Sequence, residues 1–230
     1  MWIVSVSAIA GQQWYNNLMR EKAKIVYRFK DNLYINLTNR CPNACSFCIK
    51  SKFSMVFEGY NLNLEGKEPS AEEVLAEIRR QSQEGPVGQI VFCGYGEPTM
   101  RLAVLLEVAS VLKEDMALGK YPKTPIRLNT LGLGNLVYGR DITGDLAKVL
   151  DSVSISINSP KREQWLEIVR PQPQYRERGY ESVLEFIRLL ALKMQDVTVT
   201  IVDRLGIDVE ETEKLARSLG AKFRVREFIA

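Results

Sequence analysis

Apolar and polar positions alternate along six short stretches of the chain: LYINLT (33–38), QIVFC (89–93), PIRLNT (125–130), SVSISIN (152–158), VTVTIV (197–202) and KFRVRE (222–227). A two-residue period places successive side chains on opposite faces of a strand. Between these stretches the apolar period lengthens, predicting helices over roughly 70–84, 101–116, 143–150, 178–194 and 208–219. Ser70 with Glu73, and Asp208 with Glu211, have capping-box spacing, and Pro160 after Ser159 suits a first helical position. In the longest helix Val183, Leu184, Ile187 and Leu190 share one face. Strands alternating with helices predict a parallel sheet covered by helices. Six strands fall short of the eight of a closed barrel, which leaves an open partial barrel or a doubly wound sheet.

Strand parity helps to choose. Val153, Ile155 and Ile157 stand opposite Ser154, Ser156 and Asn158; Leu33, Ile35 and Leu37 stand opposite Tyr34, Asn36 and Thr38. Ile126 and Leu128 oppose Arg127 and Asn129; Val197, Val199 and Ile201 oppose Thr198 and Thr200; Phe223 and Val225 oppose Arg224 and Arg226. A strand between two helix layers would be apolar on both faces. The half-polar strands predict an α/β fold whose sheet curves around a polar cavity, with a sheet exposing one face to solvent as the alternative.

Composition narrows the class. The 230 residues suit one domain, and 46% hydrophobic with 26% charged residues is ordinary for a globular protein. A net charge of +3 does not indicate a nucleic-acid partner. No apolar run approaches the ~18 residues of a spanning helix, so no membrane partner is expected. The opening MWIVSVSAIAG lacks the basic start of a signal peptide. Together with the cysteine pattern, this predicts a reducing, cytoplasmic setting.

That pattern is LTNRCPNACSFCIK at residues 37–50: Cys41, Cys45 and Cys48 crowd one loop, a single further cysteine stands at Cys93, and there is no histidine. Thiolates bind zinc, copper(I) or iron–sulfur clusters. Structural zinc takes four ligands, usually in two separated pairs; Cys93 could complete such a set, so zinc stays open on arithmetic alone. The C-x3-C-x2-C spacing favours one compact cluster with three protein ligands. A [4Fe–4S] cluster normally takes four thiolates, so three would leave one iron open to a small molecule.

CPNACSFC, with the aromatic Phe47 before its last cysteine, resembles the cluster loop of radical S-adenosylmethionine (SAM) enzymes. VFCGYGEPTM (91–100) resembles their GGEP motif, with Tyr95 in place of its first glycine. The resemblance implies a partial (β/α)6 barrel and a [4Fe–4S] cluster on Cys41, Cys45 and Cys48. It further implies reductive cleavage of SAM to a 5′-deoxyadenosyl radical. Gly94, Tyr95, Gly96, Glu97 and Pro98 would then hold SAM, with Glu97 on its ammonium, and Phe47 would border the cofactor. Asn129, Ser154, Ser156 and Asn158, at strand ends, are further candidates for SAM contact, with plain strand-end hydrogen bonding as their other reading. Gly94 and Gly96 would permit close backbone approach to a ligand.

At finer grain LYINLTNRCPNACSFCIK, NTLGLGN (129–135), SVSISINSP and FRVREF resemble small radical SAM proteins linked to TatD-type nucleases. That implies a TatD-type nuclease as partner, and an electron donor such as flavodoxin or ferredoxin. It also implies a core domain over 25–230 behind an N-terminal extension, 1–24, with Met19 a candidate start. Two other classes remain: a glycyl-radical activating enzyme acting on a protein, and a non-enzymatic metal-binding or cluster-binding module. Cys93 reads either as a small buried hydrophobe or as a hydrogen-atom donor. Arg127, Arg224 and Arg226 share the polar parity with no acid on the same faces, which predicts an anionic small-molecule or peptide substrate.

Overall fold

The fold is that of a computed structural model, which describes residues 22–52, 55–203 and 206–227, with backbone alone at 51–52. Most of the predicted extension, residues 1–21, lies outside the described residues. β1 (Val26–Phe29) turns through Lys30 and Asp31 into β2 (Asn32–Ile35) and pairs with it antiparallel. β3 (Val56–Phe57) and β4 (Tyr60–Asn61) form a separate two-stranded hairpin. β5 (Ile90–Phe92), β6 (Ile126–Thr130), β7 (Ser152–Ser156), β8 (Val197–Val202) and β9 (Lys222–Arg226) join β2 in one parallel array. The sheet order is β1-β2-β5-β6-β7-β8-β9, open at β1 and β9 among the described residues. The six parallel strands are the six alternating stretches. β1 and the β3–β4 hairpin are additions.

Eight α-helices fall between the described strands: α1 (Ile49–Lys52), α2 (Ala71–Ser82), α3 (Leu102–Ala117), α4 (Gly134–Tyr138), α5 (Thr143–Val149), α6 (Arg162–Val169), α7 (Gly179–Ala191) and α8 (Val209–Ser218). Ser70 and Glu73 close a reciprocal capping box on α2. At α8 only half of the box forms, with Asp208 accepting from the Glu211 N–H. α6 was not among the predicted helices. It begins two residues after Pro160, which therefore does not occupy a first helical turn; Ser159 instead accepts from the Lys161 N–H.

One core joins the apolar strand faces to the helices. Leu33, Ile35, Leu37, Ile90, Phe92, Ile126, Leu128, Val153, Ile155, Val199 and Ile201 pack against Val74, Ile78, Leu105, Leu112, Val183, Phe186, Ile187 and Leu190. Each such side chain contributes about 1.5–3 kcal/mol, so this face drives folding. The other face keeps Tyr34, Arg127, Asn129, Ser156 and Thr198 partly accessible. With the core on one side, the strand ends and the polar face are left to build the site.

Candidate active site

The cysteine loop leaves β2 and is tied down along both flanks. On one flank Asn36 and Asn39 donate to the Leu62 carbonyl at 2.9 and 3.0 Å, while Asn39 Oδ1 accepts the Leu64 N–H at 2.7 Å. Glu68 accepts from Thr38 Oγ1, from Arg40 at 2.7 and 2.9 Å and from Arg101 at 3.1 Å. Partial burial pushes the Glu68 carboxyl upward, but these donors bring it below the usual carboxylate range. On the other flank the loop bonds to the chain leaving α6. The Ala44 and Ser46 N–H groups donate to the Arg170 and Ile168 carbonyls, at 3.0 and 2.8 Å, and the Gln172 N–H donates to the Pro42 carbonyl at 2.9 Å. Gln172 Nε2 also donates to the Cys41 carbonyl at 3.1 Å. Phe47 packs on the main core.

Cys41, Cys45 and Cys48 are each half-buried. Burial, then the carboxylate of Glu97, pushes the Cys41 thiol up to about 12. Burial, then Cys41 and Cys48, raises Cys45. The three sulfurs therefore act on one another, and Glu97 acts on two of them.

The loop after β5 lies against the start of the cysteine loop. A Cβ on Gly94 would collide with Asn36, and one on Gly96 with the carbonyls of Thr38 and Arg40. The two glycines are thus required by chain-to-chain contact, and the Glu97 N–H donates to the Arg40 carbonyl at 2.9 Å. Tyr95 turns away into an aromatic cluster with Tyr27 and Leu62, its hydroxyl donating to the Val56 carbonyl at 2.7 Å. Pro98 opens a single 3₁₀ turn that Glu97 caps.

Glu97 is 2% exposed. Its Oε1 accepts from the Thr99 N–H at 3.1 Å, Thr99 Oγ1 at 2.7 Å and Thr130 Oγ1 at 2.8 Å; its Oε2 accepts from the Leu131 N–H at 2.8 Å. Burial pushes its pKa up and these four donors pull against it. Glu97 therefore clamps the β5 loop to the end of β6. Thr99 and Thr130 lie inside the quoted VFCGYGEPTM and NTLGLGN stretches without a signal of their own, and Glu68 lies in neither; only the fold reveals their part.

On the polar face Cys93 follows β5. Burial raises its pKa, while Asn129, Arg226 and Arg127 pull it down. Arg226 Nη2 donates to Ser156 Oγ at 2.7 Å. Ser154 is buried and Arg224 is exposed. Asn158 is buried at φ +59°, its Nδ2 donating to the Ser156 carbonyl at 3.3 Å. Four buried polar atoms here have no partner: Arg127 Nε, Arg226 Nε, Asn129 Oδ1 and Asn158 Oδ1. Unsatisfied buried groups are rare and call for a ligand or ordered water.

The donor chemistry suits an iron–sulfur cluster: three thiols in one loop, with orphaned polar atoms on the adjoining sheet face. Among the described residues, however, no three His, Cys, Asp or Glu side chains converge as a site for a single metal ion. No described helix is long and apolar enough to cross a membrane.

Comparison with known proteins supplies the class. Residues 35–219 match the radical SAM superfamily, most of the chain, and the chain belongs to that superfamily. Over 192 residues it is 27% identical to the dual-specificity RNA methyltransferase RlmN of Francisella tularensis subsp. novicida (strain U112). That alignment covers 81% of this chain and 48% of the relative, so the chain spans about half the length of the curated relatives it matches. Among solved structures, a radical SAM methyltransferase from Sphaerobacter thermophilus superposes with TM-score 0.55 at 16% identity, covering 88% of this chain and 68% of the other. HydG, a maturase of the [FeFe]-hydrogenase, gives TM-score 0.57 at 16% identity, covering 86% and 42%. Methylornithine synthase (PylB) gives 0.53 at 18%, covering 85% and 52%. At these identities the structures establish a shared fold.

Proposed function

We propose that this chain is a radical SAM enzyme that carries a [4Fe–4S] cluster on Cys41, Cys45 and Cys48 and cleaves SAM reductively to a 5′-deoxyadenosyl radical. The observation that carries the proposal is the cysteine loop pinned beside the Glu97 loop, within one superfamily match. The bound cluster supplies the electron and the open iron for SAM. The chain's own residues do the rest. The flanking bonds from Glu68 and from residues 168–172 hold the thiols in place. Glu97 and the glycines fix the neighbouring loop, leaving the second lone pair of Glu97 Oε2 for the SAM ammonium. Ser154, Ser156, Asn129 and Asn158 offer polar contacts for the cofactor along the sheet.

In this reading the sheet works as a partial (β/α)6 barrel whose polar face lines the reaction space. An external flavodoxin or ferredoxin is the reductant, and the association with a TatD-type nuclease belongs to the same proposal. RNA methylation is not carried over from the longer relatives, because half of their length has no counterpart here.

Anaerobic reconstitution tests the reading. About four iron and four sulfide per chain, with 5′-deoxyadenosine released from SAM under reductant, is the expected result. A chain that takes up one zinc and no sulfide would instead be a metal-binding module, and a glycyl radical on a partner protein would mark an activating enzyme.

A further inference from the structure

Two partly buried guanidinium groups on the polar face each hold a buried Nε without a partner. Arg226 spends one N–H on Ser156 Oγ, and its Nε is buried without a partner; Arg127 Nε is likewise buried and unpartnered. Among the described residues neither forms an ion pair, although fourteen other pairs do form. The titratable groups that bear most on Arg226 are Cys93, Arg224 and Cys45. The Tyr34 hydroxyl is a neutral hydrogen-bond partner of Arg127, and it is also influenced by Cys93 and Arg224. Glu97, which also bears on Cys93, is engaged by donors from Thr99, Thr130 and Leu131. Cations of like sign gathered without an anion repel one another, and a buried charge without a partner is costly. A planar guanidinium fork matches the paired oxygens of a carboxylate or phosphate.

We propose that Arg127 and Arg226 form a binding site for an anionic group, carboxylate or phosphate, on the substrate of this enzyme, seated on the polar sheet face beside Cys93. The word substrate rests on the radical SAM reading; the anion site itself does not. SAM also carries a carboxylate, but position argues against it as the occupant of both forks. Arg127 stands level with Val91 and Tyr34 in the sheet register. That is one inward step from Asn129 and Cys93, away from the strand ends that carry the cysteine loop and Glu97. Arg226 ends β9 at the open edge, where a ligand larger than one functional group can enter.

The test is binding to the full chain without cluster, so it does not depend on iron. Inorganic phosphate and succinate are titrated calorimetrically into the wild type, Arg127→Gln, Arg226→Gln and the double variant. At least one probe should bind saturably, and the double variant should weaken it about tenfold or more, as loss of charge-assisted bonds predicts. In anion-free buffer the single variants should melt at or above the wild-type temperature, because each removes an uncompensated charge. The probe that binds should then raise the melting temperature of the wild type and not that of the double variant.

Failure of both probes to bind, or equal binding by the double variant, overturns the proposal. So does a lower melting temperature for both single variants in anion-free buffer, which would assign the arginines to holding the fold. On reconstituted protein, displacement of the probe by SAM, with SAM and probe weakened equally by the substitutions, would assign the site to the SAM carboxylate and overturn it too. A chain that binds the probes and yet takes up no iron would refute the enzymatic reading and leave the anion site standing.

Discussion

Replacing Glu97 with alanine measures how much of the site depends on one buried carboxylate. The substitution strands four donors: the N–H groups of Thr99 and Leu131 and the hydroxyls of Thr99 and Thr130. The hydroxyls can rotate toward other acceptors, whereas the two backbone N–H groups cannot. An unsatisfied buried donor costs about 1–3 kcal/mol, so two cost about 2–6 kcal/mol, and the emptied side-chain volume adds to this. The expected loss is about 3–5 kcal/mol. For a domain of this size it lowers the melting temperature by roughly 6–20 °C. Urea unfolding followed by circular dichroism, on the chain without cluster, reads the change directly. Thr130→Val should couple to Glu97→Ala by about 1 kcal/mol or more in a double-mutant cycle. A Glu97→Ala protein within about 1 kcal/mol of wild type, with additive Thr130→Val, would refute the clamp and return Glu97 to a purely ligand-facing role. Because alanine damages the clamp, SAM contact is better probed with Glu97→Gln, which keeps Oε1 as acceptor.

Single alanine substitutions at Cys41, Cys45 and Cys48 should each abolish iron retention after reconstitution, while Cys93→Ala should retain it; iron analysis showing the reverse would move the ligand assignment. Gly96→Ala drives a Cβ into two backbone carbonyls and should cost about 1–3 kcal/mol, read from the urea midpoint. Gly144→Ala, in open space on α5, should instead be neutral or stabilising by up to about 1 kcal/mol. Partial burial pushes Asp141 up, but hydrogen bonds from Lys193 and Thr143 hold it at about 2, below its ordinary 3.8. Its contribution is thus full above pH 3.8 and lost as pH falls through 2. With the side chain 45% exposed, screening limits it to under about 1 kcal/mol, so Asp141→Asn should lower stability slightly at pH 7 and not at pH 2.

Most of the parallel strands were legible because they put apolar side chains on one face and polar ones on the other, as Val153 and Ser154 show; β5, apolar on both faces, was legible only as a short apolar run. β1 was not, because Val26 and Tyr27 are both buried and the alternation vanishes. α6 hid behind charge, with Trp165, Ile168 and Val169 buried and Leu166 partly buried against the core. Within the site the cysteines and the GEP turn could be found from spacing. The work of Gly94 and Gly96 could not: they looked made for a ligand, and their close neighbours are Asn36, Thr38 and Arg40. Glu68 was invisible because its partners Thr38, Arg40 and Arg101 are some thirty positions away in sequence. Among the arginines, parity alone could not separate partly buried Arg226, bonded to Ser156, from exposed Arg224 on the same strand, because that difference depends on a partner seventy residues away in sequence.

The bonds along the two flanks of the cysteine loop also set the order of assembly. Small zinc domains fold around their metal, and a chelator unfolds them. Here backbone groups of Cys41, Pro42, Ala44 and Ser46 are engaged by residues Ile168 to Gln172, and the side chains of Asn36 to Arg40 just before them by residues Leu62 to Glu68. The loop's shape is therefore specified by the protein, and under the proposed assignment the cluster would enter a finished socket. If the proposed cluster is present, oxygen that stripped its iron would leave a folded chain ready to be reloaded, and loss and repair would cycle without passing through the unfolded state.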